Sequence, residues 1–505
     1  MSAQVLDSDA ALGPEVPGVL ADLSPTVVVV GDPMLDGWWC GTSDRMAREA
    51  PAPVVELGSR LFVPGGAANT AMNLVSLGAR VRFVGAAGDD AAGRLLRDLL
   101  VDAGVDVGGL LLAAGVRTTT KDRVVVADQV LVRLDDGVSP VYPQEVLDSL
   151  ADAAVAACDG ANAVVVCDYG TGALVGPVRD ALVSRAPRPP LCVVDAHDAT
   201  PWAALAPDVV TPNAAEAERL VGGRLVGDDD GRAGAVGRRA ETLLAATGAS
   251  AVVVTLDRDG TATVARGSTG LVHRSWARPA TEKQASGAGD TFVAALTLAR
   301  ACGLPLTTSV DLAQAAADVV VTRSGTSVCS TADLAGHLAG FAESALTHDE
   351  LARAVAADRA AGRSIVFTNG CFDVLHRGHT AYLNQAKRLG DVLVVAINDD
   401  ASTARLKGPG RPINPAHDRA GVLAALSCVD YVTVFDGDTA VPLLELLTPD
   451  VYAKGGDHTE ESMVESSVVR AHGGEVRILD YLAAHSTSAV VRRIRGQQAG
   501  VVGTA

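Results

Sequence analysis

Residues 27–36 read VVVVGDPMLD. Four consecutive Val fit a parallel strand covered on both faces, because a strand with one wet face alternates apolar and polar residues. The Gly-Asp that follows then sits at the carboxyl end of the strand, where open α/β sheets bind ligands. Comparable runs recur at VRFV (81–84), AVVVCD (163–168), LCVVD (191–195), DVVT (208–211) and AVVVT (251–255). The segments between them, such as AAGRLLRDLLVDA (91–103) and PNAAEAERLV (212–221), carry helical spacing. Strand and helix alternate, as in a layered α/β domain. Residues 38–63 and 116–135 differ: VVEL, LFV, RVVV and QVLVRLD read as antiparallel strands projecting from the sheet.

A second series begins near 364 with SIVFT, DVLVVA (391–396), VDYVTV (429–434), DVYAK (450–454) and EVRIL (475–479). The expected organisation is a flexible tail over 1–23, a three-layer α/β domain with a projecting β lid over 24–340, a helical connection over 341–362, and a smaller Rossmann-like α/β domain over 363–500. The chain's 505 residues are enough for domains that each bury a core. Only 3% are aromatic, so those cores must be built mainly from Ala, Val and Leu.

A net charge of −18 argues against general binding to nucleic acid or anionic membrane, while leaving room for a local basic site that takes an anionic substrate. Eight Cys without a C-x-x-C pair or a Cys/His cluster favour free thiols in a reducing cytoplasm. The first 23 residues lack the basic start and apolar core of a signal peptide, and no apolar run is long enough to span a bilayer. The expected location is cytoplasmic.

Chemistry concentrates at the strand ends. In QASGAGD (284–290), Gly287 and Gly289 allow a tight turn, and the N–H groups of the next helical turn, around Ala288, favour an anion. Asp290 is then either a helix cap or a base that deprotonates a hydroxyl as it attacks the γ-phosphate of ATP. Asp32 and Asp36 follow the first strand, and Asp168 ends a later one. PGGAAN (64–69) offers Gly65, Gly66 and the amide of Asn69 to a sugar. Asn213 and Glu216 lie three apart on one helical face, suited to holding Mg²⁺ through water.

In TNGCFDVLHRGH (368–379), His376 and His379 share a helix face, and Gly378 leaves room for a phosphate at the helix start. The imidazoles can stabilise charge on an α-phosphate and leaving pyrophosphate; metal ligation or simple capping are the other readings.

The first set of motifs resembles the ribokinase family of sugar kinases. GDPMLDGWWCG, EAPAPVVEL, PGGAANTAMNLVSLGA and RLD (133–135) are most similar to the kinase half of the bifunctional heptose 7-phosphate kinase/heptose 1-phosphate adenylyltransferase family. H-x-G-H resembles the cytidylyltransferase-like nucleotidyltransferases, and NDDAS (398–402), RLKGPGRPINP (405–415), KGGDH (454–458) and HSTSAVVRRI (485–494) resemble the other half of the same enzymes. The resemblance implies Asp290 as base, Gly287, Ala288 and Gly289 as anion hole, and Asp32, Asp36, Gly65, Gly66, Asn69 and Asp168 as sugar ligands. Asn213 and Glu216 would organise Mg²⁺ with ATP. In the second domain it implies His376 and His379 as catalytic groups. Thr368, Asn369, Gly370, Phe372, Gly378, Lys407, Lys454, Ser486, Thr487 and Ser488 would contact nucleotide or phosphate.

It also implies ATP and heptose phosphates as substrates, and a homodimer or higher homo-oligomer through the kinase domain. The chain departs from the family in four places. Gln284 replaces an Asp that helps hold a monovalent cation, so cation activation is not expected to carry over. Thr171 and the pair Ala196-His197 stand where Lys and Pro-Lys are usual, and His485 stands where Cys is common. Two alternatives stay open: the same pair of reactions on another sugar phosphate or with CTP or GTP, and a transferase carrying a non-catalytic sugar-binding domain.

Overall fold

The computed structural model describes residues 12–479, except 128, 138–139, 175, 227–230, 278–284, 324, 343–344, 376, 409–410 and 456–462. The chain forms two compact units, Met1–His337 and Leu338–Ala505.

In the first unit a nine-stranded sheet is built around Thr26–Gly31. On one side lie Arg80–Gly88 and then Asp106–Ala113; on the other come Ala163–Asp168, Leu191–Ala196, Val209–Val210 and Ala251–Thr255, all parallel. Thr261–Ala265 and His273–Ser275 close that edge in antiparallel register. Val27 to Val30 are all 0% exposed, which accounts for the unbroken apolar run. Val28 and Val30 join a core with Leu150, Val178, Val236 and Leu243 from helices on one face. Ala67–Ser76 and Ala288–Ala301 pack on each other and on the sheet.

The chain builds outward from Thr26–Gly31 on one side and resumes at Ala163–Asp168 on the other. Such a reversal opens a crevice beyond the carboxyl ends of the two strands.

The projecting strands form a separate four-stranded sheet. Pro33–Met46 pairs antiparallel with Pro53–Gly66 and parallel with Thr120–Val126, which pairs antiparallel with Gln129–Asp136. Met34, Leu35 and Asp36 are buried at its root, while Gln129–Asp136 is exposed throughout. This is the expected β lid.

The second unit holds a parallel six-stranded sheet in the order Ala345–Leu346, Tyr431–Phe435, Val392–Asn398, Ile365–Gly370, Val451–Gly455, Glu475–Leu479. Its strand order reverses between Ile365–Gly370 and Val451–Gly455.

Two expectations need correction. Within the supposed flexible tail, Val16–Leu23 is a helix with Val16 and Leu20 buried, since residues four apart share a face. The supposed connection over 341–362 is built into the second unit. Ala345–Leu346 is an edge strand there, and the helix His348–Ala360, started by a Thr347/Glu350 capping box, buries Leu351 and Val355 in the second core.

All four Trp (38, 39, 202 and 276) lie in the first unit, so Trp fluorescence reports on that unit alone. Leu150→Ala empties a fully buried site. It is expected to lower the stability of the first unit by about 2–5 kcal/mol in urea denaturation followed by Trp fluorescence.

Candidate active sites

At the first reversal Asp32 follows the strand directly and is 0% exposed. Its Oδ2 accepts backbone N–H bonds from Tyr169 (2.9 Å) and Thr171 (3.1 Å). Its Oδ1 has no hydrogen-bond partner among the described residues. Burial is the main cause that raises its pKa, against those hydrogen bonds. A buried acceptor left open in this way fits a ligand hydroxyl.

Asp36 sits one strand pair into the lid. Arg123 donates to its Oδ1 (3.1 Å) and Thr326 to its Oδ2 (2.8 Å). The Arg123 guanidinium lies over the Trp38 ring and reaches Ser286 Oγ at 3.4 Å, so lid root and glycine loop are joined. Gly65 and Gly66 are held close: a Cβ on Gly65 would meet the Asp36 carboxylate at 2.9 Å, and Gly66 has φ +57°.

Asp290 lies in the first turn of Ala288–Ala301, whose N-cap is Gly287 at φ +90° with no side-chain capping bond. Its carboxylate instead accepts from Asn69 Nδ2 (2.9 Å at Oδ2) and meets the Tyr169 hydroxyl (3.0 Å at Oδ1). Among the described residues its carboxylate makes no hydrogen bond to the first turn of its own helix. Burial, the largest cause, pushes the Asp290 carboxyl up to about 7; the Asn69 bond opposes this and the Asp195 charge adds to it. The first-turn N–H groups have no intrahelical acceptor. A Cβ built on Gly289 would meet nothing within 4 Å among the described residues, and N–H groups at a helix start favour an anion.

The remaining predicted residues are engaged otherwise. Asp168 accepts from Trp202 Nε1 (2.8 Å) and from the N–H of Gly170 (3.1 Å), which ties it to its own turn. Asn213 and Glu216 form the capping box of Ala214–Val221. Glu216 Oε1 also lies 2.8 Å from His197 Nδ1, a bond that is the main cause raising the imidazole's pKa. Gln284 lies outside the described residues.

The sequence motifs did not assign roles to Tyr169, Arg123 or Thr326, and Asp195 entered only as the last residue of the LCVVD run (191–195). The Tyr169 hydroxyl donates to Asp195 Oδ2 at 2.8 Å. Burial raises the Asp195 carboxyl to about 6, opposed by that bond. Position after a strand-end Asp was the available signal for Tyr169; for Arg123 and Thr326 there was none.

At the second reversal Asn369 Oδ1 accepts from Tyr452 (2.8 Å) and Lys454 Nζ (2.8 Å), and Lys454 also donates to the Asn369 carbonyl (3.0 Å). Burial is the main cause that lowers the Lys454 pKa, and the charge of Lys407, exposed at the end of Asp400–Lys407, lowers it further. Thr368 Oγ1 meets the Tyr382 hydroxyl at 2.5 Å, and that hydroxyl donates to the Ala453 carbonyl. These bonds hold the helix Arg377–Lys387 against both strands. A Cβ on Gly370 would press on the Phe372 ring at 3.2 Å. Phe372, at φ +44°, sets that ring 5.2 Å from the imidazole of His379. Gly378 is buried in the first helical turn. Asp373 is a further buried group: it accepts from Arg411 and from the N–H of Ile413, which fastens the 411–414 loop to the site. His376, Ser486, Thr487 and Ser488 lie outside the described residues. Among the described residues no group of three or more His, Cys, Asp or Glu could hold a metal ion.

Residues 25–333 match the pfkB family of carbohydrate kinases, and residues 367–490 match the cytidylyltransferase-like family. The chain is 40% identical over 484 residues to the bifunctional protein HldE of Hahella chejuensis, covering 94% of this chain and 97% of that one. It is 42% identical to HldE of Alkalilimnicola ehrlichii, with 93% and 96% covered. The chain belongs to the bifunctional HldE family. The HldE assignment brings a kinase and a nucleotidyltransferase into one chain, in agreement with the two family matches. Phosphofructokinase-2 of Escherichia coli has the same fold as the first unit, at TM-score 0.51 and 21% identity over 61% of this chain and 96% of that one.

A Cβ at Gly287 would lie 2.4 Å from Asn69 Nδ2 in a left-handed backbone. Gly287→Ala is expected to displace Asn69 from Asp290 and cut the kinase rate at least about tenfold, with adenylyl transfer unchanged. Separate steady-state assays of the two reactions check this.

Proposed function

We propose that the chain carries out two steps of ADP-heptose synthesis. The first unit phosphorylates the anomeric hydroxyl of D-glycero-D-manno-heptose 7-phosphate with ATP, giving the 1,7-bisphosphate. The second joins heptose 1-phosphate to the AMP moiety of ATP, giving ADP-heptose and pyrophosphate. A separate phosphatase acts between them. The observation that carries the kinase reading is Asp290: among the described residues its carboxylate makes no hydrogen bond to the first turn of its own helix, and it is held by Asn69 beside a turn of N–H groups.

In this reading Asp32 and Asn69 receive the sugar hydroxyls, with Gly65 and Gly66 letting the sugar approach the backbone. Asp290 takes the anomeric proton as that oxygen attacks the γ-phosphorus. The N–H groups of Ala288, Gly289 and Asp290 hold the transferred oxygens. Bound with ATP, Mg²⁺ spreads phosphate charge. Asn213 and Glu216 fit a role through water, since their oxygens each make one hydrogen bond here and keep a second lone pair.

For adenylyl transfer no protein nucleophile is needed. An oxygen of the sugar 1-phosphate attacks the α-phosphorus and pyrophosphate leaves. His379, with His376, Lys407 and Lys454, is proposed to neutralise the growing charge, and the final segment with Ser486, Thr487 and Ser488 to contact the nucleotide.

Leu57, Leu61, Leu131 and Leu134 are exposed apolar residues on the lid, and we assign that sheet to pairing with a second copy. Among the described residues no helix is long and apolar enough to cross a membrane.

Incubation with sugar phosphates and nucleoside triphosphates, read by product mass, tests the substrates; bisphosphate from heptose 7-phosphate and ATP is expected. Asp290→Asn is expected to abolish that product while pyrophosphate release persists, and His379→Ala to do the reverse. A base must be unprotonated to act. With its pKa near 7, Asp290 should make kinase kcat/KM fall about tenfold per pH unit below about 7 and level off above it. A flat kinase profile between pH 5 and 8 would remove Asp290 as base.

A further inference from the structure

The Tyr169 hydroxyl lies between two carboxyl groups, 2.8 Å from Asp195 Oδ2 and 3.0 Å from Asp290 Oδ1. A phenol has one proton to donate, and its oxygen otherwise accepts. If both carboxyl groups were ionised, one of these contacts would set lone pair against lone pair. Both contacts become hydrogen bonds when one carboxyl group carries a proton and donates it to the phenol oxygen. The phenol then donates to the other. Carboxyl groups sharing a site out of water tend toward this state, because two adjacent buried charges repel.

The neighbours fit the count. Asp290 is faced by Asn69 and Tyr169, and by the charges of Asp195 and of Asp36, which has Arg123 as its own partner; the Cys167 thiol lies close by. Asp195 is faced by Tyr169, Thr211, Glu216 and His197. Among the described residues neither carboxyl group has an Arg or Lys partner of its own.

We propose that Tyr169 is a positioning residue for phosphoryl transfer: its hydroxyl couples Asp290 to Asp195 so that the pair holds one proton. The proposal rests on Asp290 being the kinase base. When the proton is on Asp290 the base is idle. It becomes free when the Asp290 O–H bond breaks toward the phenol oxygen while the phenol's own proton passes to Asp195 Oδ2. The three groups together neither gain nor lose charge. Asp290, now ionised and accepting from Tyr169, can take the proton of the attacking sugar hydroxyl.

The two outer members of this chain act on Asp290 in opposite senses, and the test uses that. Tyr169→Phe removes a donor that favours ionised Asp290, so the acid limb of the kinase profile should move to higher pH. Asp195→Asn removes the competing carboxyl group, so the limb should move to lower pH. Each shift should be about half a pH unit or more. Tyr169→Phe should also lower kcat about tenfold or more, with the KM values for ATP and sugar phosphate within about twofold.

The measurement is the kinase pH profile of the full-length wild type and variants, with Trp fluorescence melting to confirm the fold of the first unit. Should one variant fail to fold, the direction of shift in the other decides. Limbs unmoved in folded variants, or moved in the same direction, would overturn the coupling. Loss of bisphosphate in Asp290→Asn alongside unmoved limbs would leave the base in place and remove only the role of Tyr169. Retained bisphosphate in Asp290→Asn would remove the base reading itself.

Discussion

Three carboxyl groups lie within one crevice at the carboxyl ends of a parallel sheet, that of Asp32 fully buried and those of Asp195 and Asp290 half-buried and set back from water. Ionised groups placed there lose hydration that the protein must replace or else give up the charge. Each gets a different replacement. Asp32 takes backbone N–H bonds from the Tyr169–Thr171 turn, Asp290 takes the amide of Asn69, and Asp195 takes the hydroxyls of Tyr169 and Thr211. These donors come from three separate parts of the chain, which is why the reversal of strand order matters. It brings the end of the first strand beside the end of Ala163–Asp168.

The second unit repeats the device with the opposite electrostatic sense. Its reversal gathers Asn369, Lys454 and His379, with Lys407 near enough to act on Lys454. A site that must remove a proton is lined with acids, and a site proposed to balance departing pyrophosphate is lined with donors and cations. The chain's net charge of −18 therefore says little about either crevice.

Much of this was legible in the residues. AVVVCD and AVVVT match their strands residue for residue, because a strand buried on both faces leaves an unbroken apolar record; EVRIL matches its strand too, although that edge strand is largely exposed. GGAAN and GAGD marked the turns now found next to each other, since only Gly tolerates that backbone. The Asn69–Asp290 bond, across 221 residues, was not legible, because pairing at such a distance is decided by sheet order. The same holds for Tyr169, whose ring looks like a packing residue until its hydroxyl is placed. The Asn213–Glu216 pair shows the reverse difficulty. The same spacing serves a capping box and a cation site, and the capping box is what the hydrogen bonds record. Asp168 was picked for its strand-end position, but Trp202, outside the sequence motifs, claims its carboxylate.

The bond from Thr326 to Asp36 joins residues 290 positions apart. It makes the lid root and the far end of the first unit depend on each other during synthesis. At about 5–20 residues per second on the ribosome, the early half of the crevice waits roughly a quarter of a minute to a minute for its late half. Throughout that interval Asp32 and Asp36 have emerged, but the helix bearing Asp290 and the segment bearing Thr326 have not both done so. The nascent chain thus holds acidic strand ends without the groups that later enclose them, and in that period they stay hydrated. The burial that raises the carboxyl pKa values is among the last things this unit acquires.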